Sequence, residues 1–282
     1  MRPTEHESLI VSARRLRSEA VNDEGGLPDE LRRIVSDFLD AVDPEALQDA
    51  RRALDAKGGV ERGRRYFELI GELVKASPPF VTGRTVEERQ TELRGLFQHA
   101  EGLWQDAALL YERKRFATAK FLAIACLEEV GKLGIANLQA LLPDRELKSL
   151  AAQRLPRPLT SHAKKHFLIA DQGAFINARL DRVLGIERIR GFLDRAESGE
   201  IERERQAALY VDVGPAGPST PEEVVLQPDS AFYVALAGEC LAEVLGTWPD
   251  EWERLLALVH EFEVRAGMVA AGPDETVEGA SA

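Results

Sequence analysis

Hydrophobic residues recur along most of the chain with the spacing of amphipathic helices. Two such runs lie in the first 80 residues: Leu31, Ile34, Val35, Phe38 and Leu39, and then Tyr66, Leu69, Ile70, Leu73 and Val74. Glycine and proline pairs separate the helical runs, at Gly25-Gly26, Gly58-Gly59 and Pro78-Pro79. No strand-like alternation is longer than residues 209–213. The pattern therefore predicts an all-α protein.

One predicted helix, from Phe116 to about Leu142, is expected at the centre of the fold. Its residues 121–127 are apolar on all sides, as in a helix surrounded by others. Further helices are predicted from Thr85 to about Tyr111, around Leu180 to Leu193, and over Asp229–Leu245 and Asp250–Met268. We therefore expect an N-terminal helical segment over 1–90, an antiparallel helical bundle over 91–268 and a disordered acidic tail over 269–282.

The charge distribution argues against a protein that wraps duplex nucleic acid. The net charge is −12, and residues 206–282 carry 2 basic and 14 acidic side chains. Duplex binding requires a basic excess. Only residues 144–205, with 13 basic and 10 acidic side chains, offer a place where a polyanion could dock, and such a run is also typical of a solvated helical surface.

The two cysteines and the apolar runs indicate the compartment. Cys126 and Cys240 lie in separate apolar helical runs, so the sequence has no disulfide framework. The longest apolar runs have seven residues, far below the roughly 20 that span a bilayer. The first residues lack the apolar stretch of a secretory signal. We therefore expect a cytoplasmic protein without a membrane partner.

Glu128, Glu129 and Lys132 form a polar group directly after the apolar run. An isolated buried carboxylate is costly, so each glutamate requires a partner. Lys132 follows Glu128 by four residues and Glu129 by three, which places it on the same helix face. The group is either a buried network that fixes helix register or a functional site. The apolar run before it favours the structural role for both glutamates.

A second polar group spans Ser161 to His166, after a break at Pro158. His162 and His166 have the i, i+4 spacing of two metal ligands on one helix face. A zinc peptidase would carry a glutamate after the first histidine, where this chain has Ala163. The chain also contains no Glu-x-x-His pair of the di-iron type. We therefore predict no metal ion and no cofactor.

The same stretch has the spacing Arg157-x4-His162. An arginine and a histidine can meet a phosphate together, the first as a charge clamp and the second as a proton shuttle. Because this stretch follows a proline-rich break at a helix start, we expect its side chains to be accessible. This favours a functional role for His162 and Lys165.

Ordered motifs in the second half of the chain resemble those of a known family. They are Asp106 to Tyr111, Glu-Glu-x-Gly-Lys at Glu128 to Lys132, Ser-His-x-x-Lys at Ser161 to Lys165, and Leu-Tyr-Val-Asp at Leu209 to Asp212. With these motifs, residues 97–268 resemble the AbiV abortive-infection family, a branch of the HEPN superfamily of helical bundles. Residues 1–90 show no such resemblance.

The resemblance implies a HEPN-type bundle that acts in abortive infection, in which a bacterial cell infected by phage stops its own growth or translation. It also implies a homodimer. HEPN relatives are often metal-independent ribonucleases with an Arg-x4-6-His motif, which here points to Arg157 and His162 with an RNA substrate. In that case His162 would transfer protons, and Arg157 or Lys165 would stabilise the phosphate. Glu128, Glu129 and Lys132 could belong to the same site. The alternative is a non-catalytic helical protein that binds a phage or host protein.

Overall fold

The computed structural model describes residues 44–83, 85–140, 165–166, 174–175, 177–214, 217–244 and 249–269. These residues form ten helices and one two-stranded hairpin, which confirms the predicted all-α class. In chain order the elements are α1 (Pro44–Ala56), α2 (Gly59–Ala76), α3 (Val86–Glu112), α4 (Phe116–Ala140), α5 (Ala178–Leu184), α6 (Ile186–Ser198), α7 (Glu200–Ala207), β1 (Asp212–Gly214), β2 (Gly217–Ser219), α8 (Pro221–Val224), α9 (Gln227–Val244) and α10 (Pro249–Arg265). None of these helices combines the length and the apolar composition that a bilayer span requires.

Helices α3 and α4 form the antiparallel pair on which the other helices pack. Helix α3 begins at a capping box in which Thr85 and Glu88 each bind the other's backbone N–H. It ends at a three-residue turn, where Lys114 has a left-handed φ of 60° and donates its backbone N–H to the Tyr111 carbonyl. This tight turn sends α4 back along α3.

Helix α4 is buried on nearly all sides, as its apolar run predicts. Ile124 is fully buried and Leu127 is 1% exposed, so the predicted central helix is confirmed. Helix α9 lies beside it and is buried without interruption from Ser230 to Ala242. Trp104 of α3 donates its indole N–H to the Val234 carbonyl of α9 at 3.1 Å, which joins α3 to α9.

Gly238 allows α3, α9 and α10 to approach each other closely. A Cβ atom at this position would lie 2.6 Å from Trp104 Nε1 and 2.7 Å from Val259 Cγ2. Both distances are shorter than carbon contacts allow, so a larger residue would force the helices apart.

Helices α1 and α2 fall in the predicted N-terminal segment and contact the helices that follow α4. Lys57 Nζ lies 2.7 Å from Asp181 Oδ2 of α5, and both side chains are buried. On α2, Arg62 pairs with Glu197 of α6 at 2.7 Å, and the Tyr66 hydroxyl donates to the same carboxylate at 2.8 Å. Tyr66 is also part of the main hydrophobic core.

Two buried glutamates face each other between α9 and α10. Glu239 pairs with Arg179 Nε at 2.7 Å. Among the described residues, neither buried carboxylate oxygen of Glu263 has a hydrogen-bond partner. Burial, followed by repulsion from Glu239, raises the pKa of Glu263 to about 8. Glu263 is therefore protonated at neutral pH.

We predict that Gly238→Ala destabilises the protein by about 1 to 3 kcal/mol because it overpacks the α3, α9 and α10 contact. Gly102→Ala is the matched control, since Gly102 is an exposed helical glycine with open space around its Cβ position. This control should raise stability slightly through helix propensity. Urea unfolding measures both changes, and an equal effect of the two substitutions would contradict the close approach.

We also predict that Glu263 makes the protein less stable as the pH rises. Its pKa is raised from the ordinary value of 4.5 to about 8. The stabilisation from the protonated carboxyl is therefore fully present below pH 4.5 and is lost as the pH rises to about 8. Glu263→Gln copies the neutral form, so it should match the wild type near pH 5 and melt at a higher temperature near pH 8.5. Thermal unfolding at both pH values tests this. A constant difference between the two proteins would contradict the raised pKa.

Candidate functional site

The candidate site is a buried ion cluster around Glu128 of α4. The Glu128 side chain is 6% exposed, and its Oε2 accepts a hydrogen bond from Lys165 Nζ at 3.0 Å. Its Oε1 lies 3.1 Å from His166 Nε2 and 3.7 Å from Arg205 Nε. A carboxylate removed from water is stabilised by such a set of partners.

Helix α7 supplies the rest of the cluster. Arg205 binds Glu202 with two parallel hydrogen bonds of 2.8 Å, and its guanidinium lies over the Phe121 ring. The hydrogen bonds to Glu202 raise the pKa of Arg205, so it stays charged. Gly199 makes the bend between α6 and α7 possible, since its φ of 74° is a left-handed conformation that favours glycine.

A second ion network holds α7 from its other side. Glu204 lies 2.8 Å from Lys120 Nζ of α4 and 2.9 Å from Arg195 Nε of α6. It also accepts a hydrogen bond of 2.8 Å from the Tyr233 hydroxyl of α9. Together the two networks connect α7 to three other helices.

The structure brings together residues from two of the motifs found in the sequence and a residue close to a third. Glu128 belongs to Glu-Glu-x-Gly-Lys, Lys165 to Ser-His-x-x-Lys, and Arg205 lies just before Leu-Tyr-Val-Asp. Their side chains meet within 4 Å of the Glu128 carboxylate. The order of motifs along the chain thus corresponds to a contact in space.

Glu129 and Lys132 are arranged differently from Glu128. They pair with each other at i, i+3, and their side chains are 23% and 27% exposed. The dry surrounding expected for both glutamates is therefore found at Glu128 and not at Glu129. Of the two partners that the sequence left open for Lys132, the structure places Glu129 beside it.

Arg157 and His162 lie outside the described residues. Lys165 is described, and it is buried against Glu128 instead of being accessible as its position after the proline break suggested. His166, which the sequence considered only as a metal ligand, is fully buried in the same cluster.

The cluster has the composition of a charge-balanced network. The carboxylates of Glu128 and Glu202 and the ring nitrogens of His166 place ligand atoms within 4.8 Å of one another. Lys165 and Arg205 already neutralise the two carboxylates, so a divalent ion would have to displace both cations. The arrangement therefore suits the fixing of helices better than the binding of a metal.

Two accessible pairs of an arginine and a histidine were missed in the sequence analysis. Both pairs have the Arg-x4-6-His spacing, so a search for that spacing would have identified them. Arg254-x5-His260 lies on α10, and Arg94-x4-His99 lies on α3. The two helices are joined by ion pairs, from Arg254 to Glu101 at 2.7 Å and from Arg94 to Glu251 at 3.1 Å. Arg254 is 49% exposed and His260 is 43% exposed, in contrast to the buried cluster.

The comparison with protein families identifies one match. The model of the family HEPN_AbiV, described as AbiV, matches residues 92–242, which is just over half of the chain. The match includes Glu128, Lys165 and Arg205, and it ends before Arg254 and His260. Comparisons with curated proteins and with solved structures gave no match.

We predict that removal of Lys165 is far more destabilising than removal of Lys132. Lys165→Met deprives the buried Glu128 of its closest cation, and breaking a buried pair costs about 3 to 5 kcal/mol. Lys132→Met breaks a partly exposed pair and should cost under about 1 kcal/mol. Urea unfolding compares the two variants, and equal losses would show that the cluster does not hold the bundle.

Proposed function

The chain belongs to the AbiV family of HEPN proteins, and we propose that it is a bacterial protein that arrests growth or translation in a phage-infected cell. A HEPN domain of the AbiV type implies phage defence by abortive infection. The observation that carries the proposal is the family match over residues 92–242, within which Lys165 and Arg205 meet at the Glu128 carboxylate.

The chemistry that we propose is cleavage of RNA without a metal ion. The resemblance implies an Arg-x4-6-His pair, and Arg254 and His260 have this spacing with accessible side chains. His260 would take the proton from a ribose 2′-hydroxyl as this oxygen forms a bond to the adjacent phosphorus. Arg254 would exchange Glu101 for the phosphate and stabilise its negative charge.

The leaving group of this reaction requires a proton donor. As the bond between phosphorus and the 5′-oxygen breaks, that oxygen takes up a proton, and the products are a 2′,3′-cyclic phosphate and a 5′-hydroxyl. His99 is our candidate for this donor, because it is exposed on α3 between the two ion pairs that join α3 to α10.

Arg157 and His162 remain the second candidate pair for the same chemistry, with the same type of spacing. Lys165, Glu128, Glu129 and Lys132 have a positioning role in our proposal. Lys165 and Glu128 are buried against each other, and a group that cannot reach the substrate does not transfer its protons.

A non-catalytic binding protein is the alternative function. Arg254 already binds both oxygens of Glu101, and the Glu128 cluster is balanced in charge, so neither presents a free cation to a phosphate in this conformation. In this alternative the helical surface binds a phage or host protein, and the ion clusters only hold the bundle.

We propose further that the protein acts as a homodimer, as the HEPN resemblance implies. Sedimentation at micromolar concentration tests this part separately from the chemistry. A strict monomer would contradict it.

The enzyme and the binding protein predict different outcomes for histidine substitutions. His260→Ala should lower the rate of RNA cleavage at least 100-fold and abolish phage protection, since general acid–base catalysis contributes about 10²- to 10⁴-fold. Arg64→Ala, at an exposed ion pair on α2, is the control and should leave both unchanged. RNA integrity with and without a chelator, together with plaque counts, provides the readout.

The remaining outcomes of this experiment decide between the candidates. Loss of cleavage in His162→Ala alone would transfer the chemistry to Arg157 and His162. Full protection with intact RNA in both histidine variants would support the binding protein. Cleavage that the chelator abolishes would contradict a metal-independent reaction.

A further inference from the structure

The apolar side chains that the described residues expose are concentrated in one short stretch. Among all the described residues, eight large hydrophobic side chains are exposed, and six of these lie between residues 209 and 226. These six, which we call the 209–226 surface, are Leu209 (41% exposed), Tyr210 (62%), Val211 (55%), Val213 (77%), Val224 (52%) and Leu226 (66%). Large apolar side chains that are exposed in such a short stretch are typical of a segment that binds another protein.

The hairpin in this surface has one edge suited to strand pairing. Strands β1 and β2 have three residues each, and Val213 is paired with Pro218. Proline has no N–H group, so this central pair cannot be the hydrogen-bonded kind, and the backbone groups of both residues point away from the partner strand. On β1 the outward groups are the N–H and the C=O of Val213. On β2 the outward edge lacks a donor.

The hydrogen bond of Val213 agrees with this assignment. Its backbone N–H donates to the side chain of Asp212 at 2.8 Å, so it faces away from β2. A two-stranded hairpin of this length is marginally stable by itself, and an open strand edge is a template for another strand. In a strand pair the Val213 N–H would exchange the Asp212 side chain for a carbonyl of the partner, so the β1 edge can accept a strand that also offers one donor and one acceptor.

A second β1 strand is such a partner. When two identical strands pair antiparallel, a twofold axis relates them, and the central residue of one lies opposite the same residue of the other. With the axis at Val213, each copy donates one N–H and accepts one through its C=O. Both outward groups are then satisfied, and the result is a continuous four-stranded sheet.

The charges around the surface also suit a second copy. Asp212, Glu222 and Glu223 are exposed within it, whereas the sequence from 206 to 227 contains no lysine or arginine. Three exposed cations, Arg113 to Arg115, directly precede Phe116, which packs against Val225 behind the surface. A twofold contact can place the cations of one copy against the acids of the other. A partner with charges of only one sign would match either the cations or the acids, but not both.

The six side chains suit the apolar centre of a dimer interface. A standard interface buries about 800 Å² per partner, and its centre is more apolar than its polar rim.

We propose that the 209–226 surface binds a second copy of this chain through antiparallel pairing of the two β1 strands at Val213. The inference rests on the proposed homodimer and adds its location. It also places the end of α7 next to the interface, because only Ala208 separates this helix from Leu209 in the chain.

Val213→Asp tests the surface by placing two carboxylates at the twofold axis. Sedimentation of the full chain should show dimers for the wild type and at least tenfold weaker association for the variant. Val60→Asp is the matched control, since Val60 on α2 is 71% exposed and far from the hairpin in sequence. Because Val213 is itself 77% exposed, its variant should keep the thermal unfolding temperature of the monomer.

Val213→Cys tests the register of the two strands. Directly opposed residues in a hydrogen-bonded antiparallel pair have Cα atoms about 5.5 Å apart, within the range of a disulfide. Mild oxidation should therefore give a covalent dimer of Val213→Cys and none of Val60→Cys. The natural cysteines, Cys126 and Cys240, are fully buried and should not react.

The outcomes separate this inference from the proposed function. A dimer that Val213→Asp leaves intact, or that Val213→Cys does not crosslink, would overturn the 209–226 surface and keep the homodimer. A wild type that is monomeric at all micromolar concentrations would overturn both the surface and the homodimer. Neither result affects phage protection by the wild type, which tests the defence role by itself.

Discussion

The packing of the bundle depends on two buried charges of its central helix, because each of them requires a partner of opposite charge. Helix α4 is enclosed by other helices, yet it carries Lys120 and Glu128, both of which are buried. Charges taken out of water are tolerated only when they are paired. Helix α7 supplies Glu204 for the lysine and Arg205 near the glutamate, so its position on the bundle follows from the charges of α4.

This requirement connects the interior of the bundle to its surface. Because α7 is held by ion pairs on both sides, the chain that leaves it at Ala208 starts from a fixed point. Four of the five residues that follow are hydrophobic and nevertheless exposed, namely Leu209, Tyr210, Val211 and Val213. The family motif Leu-Tyr-Val-Asp therefore has a place in the fold that core packing does not explain, which is the basis for assigning it to an interface.

The position of the ion clusters also shapes the choice of chemistry. The residues that the sequence singled out as polar and unusual are partly those that hold helices together, as Glu128 and Lys165 do. Accessible groups with the Arg-x4-6-His spacing that the resemblance implies lie elsewhere, at Arg254 and His260 on the last helix. In our proposal, different helices of one bundle therefore carry the structural and the chemical roles.

The sequence by itself determined the helical class, the buried central helix and the motif order, because hydrophobic periodicity and capping are local properties of the chain. It did not determine which charges meet. Lys132, four residues away, was the visible partner for Glu128, whereas the partner in the structure, Lys165, lies 37 residues away. Nor could it show that six hydrophobic side chains between residues 209 and 226 are exposed. Ion pairing and exposure depend on which helices pack side by side, and only the tertiary structure decides that.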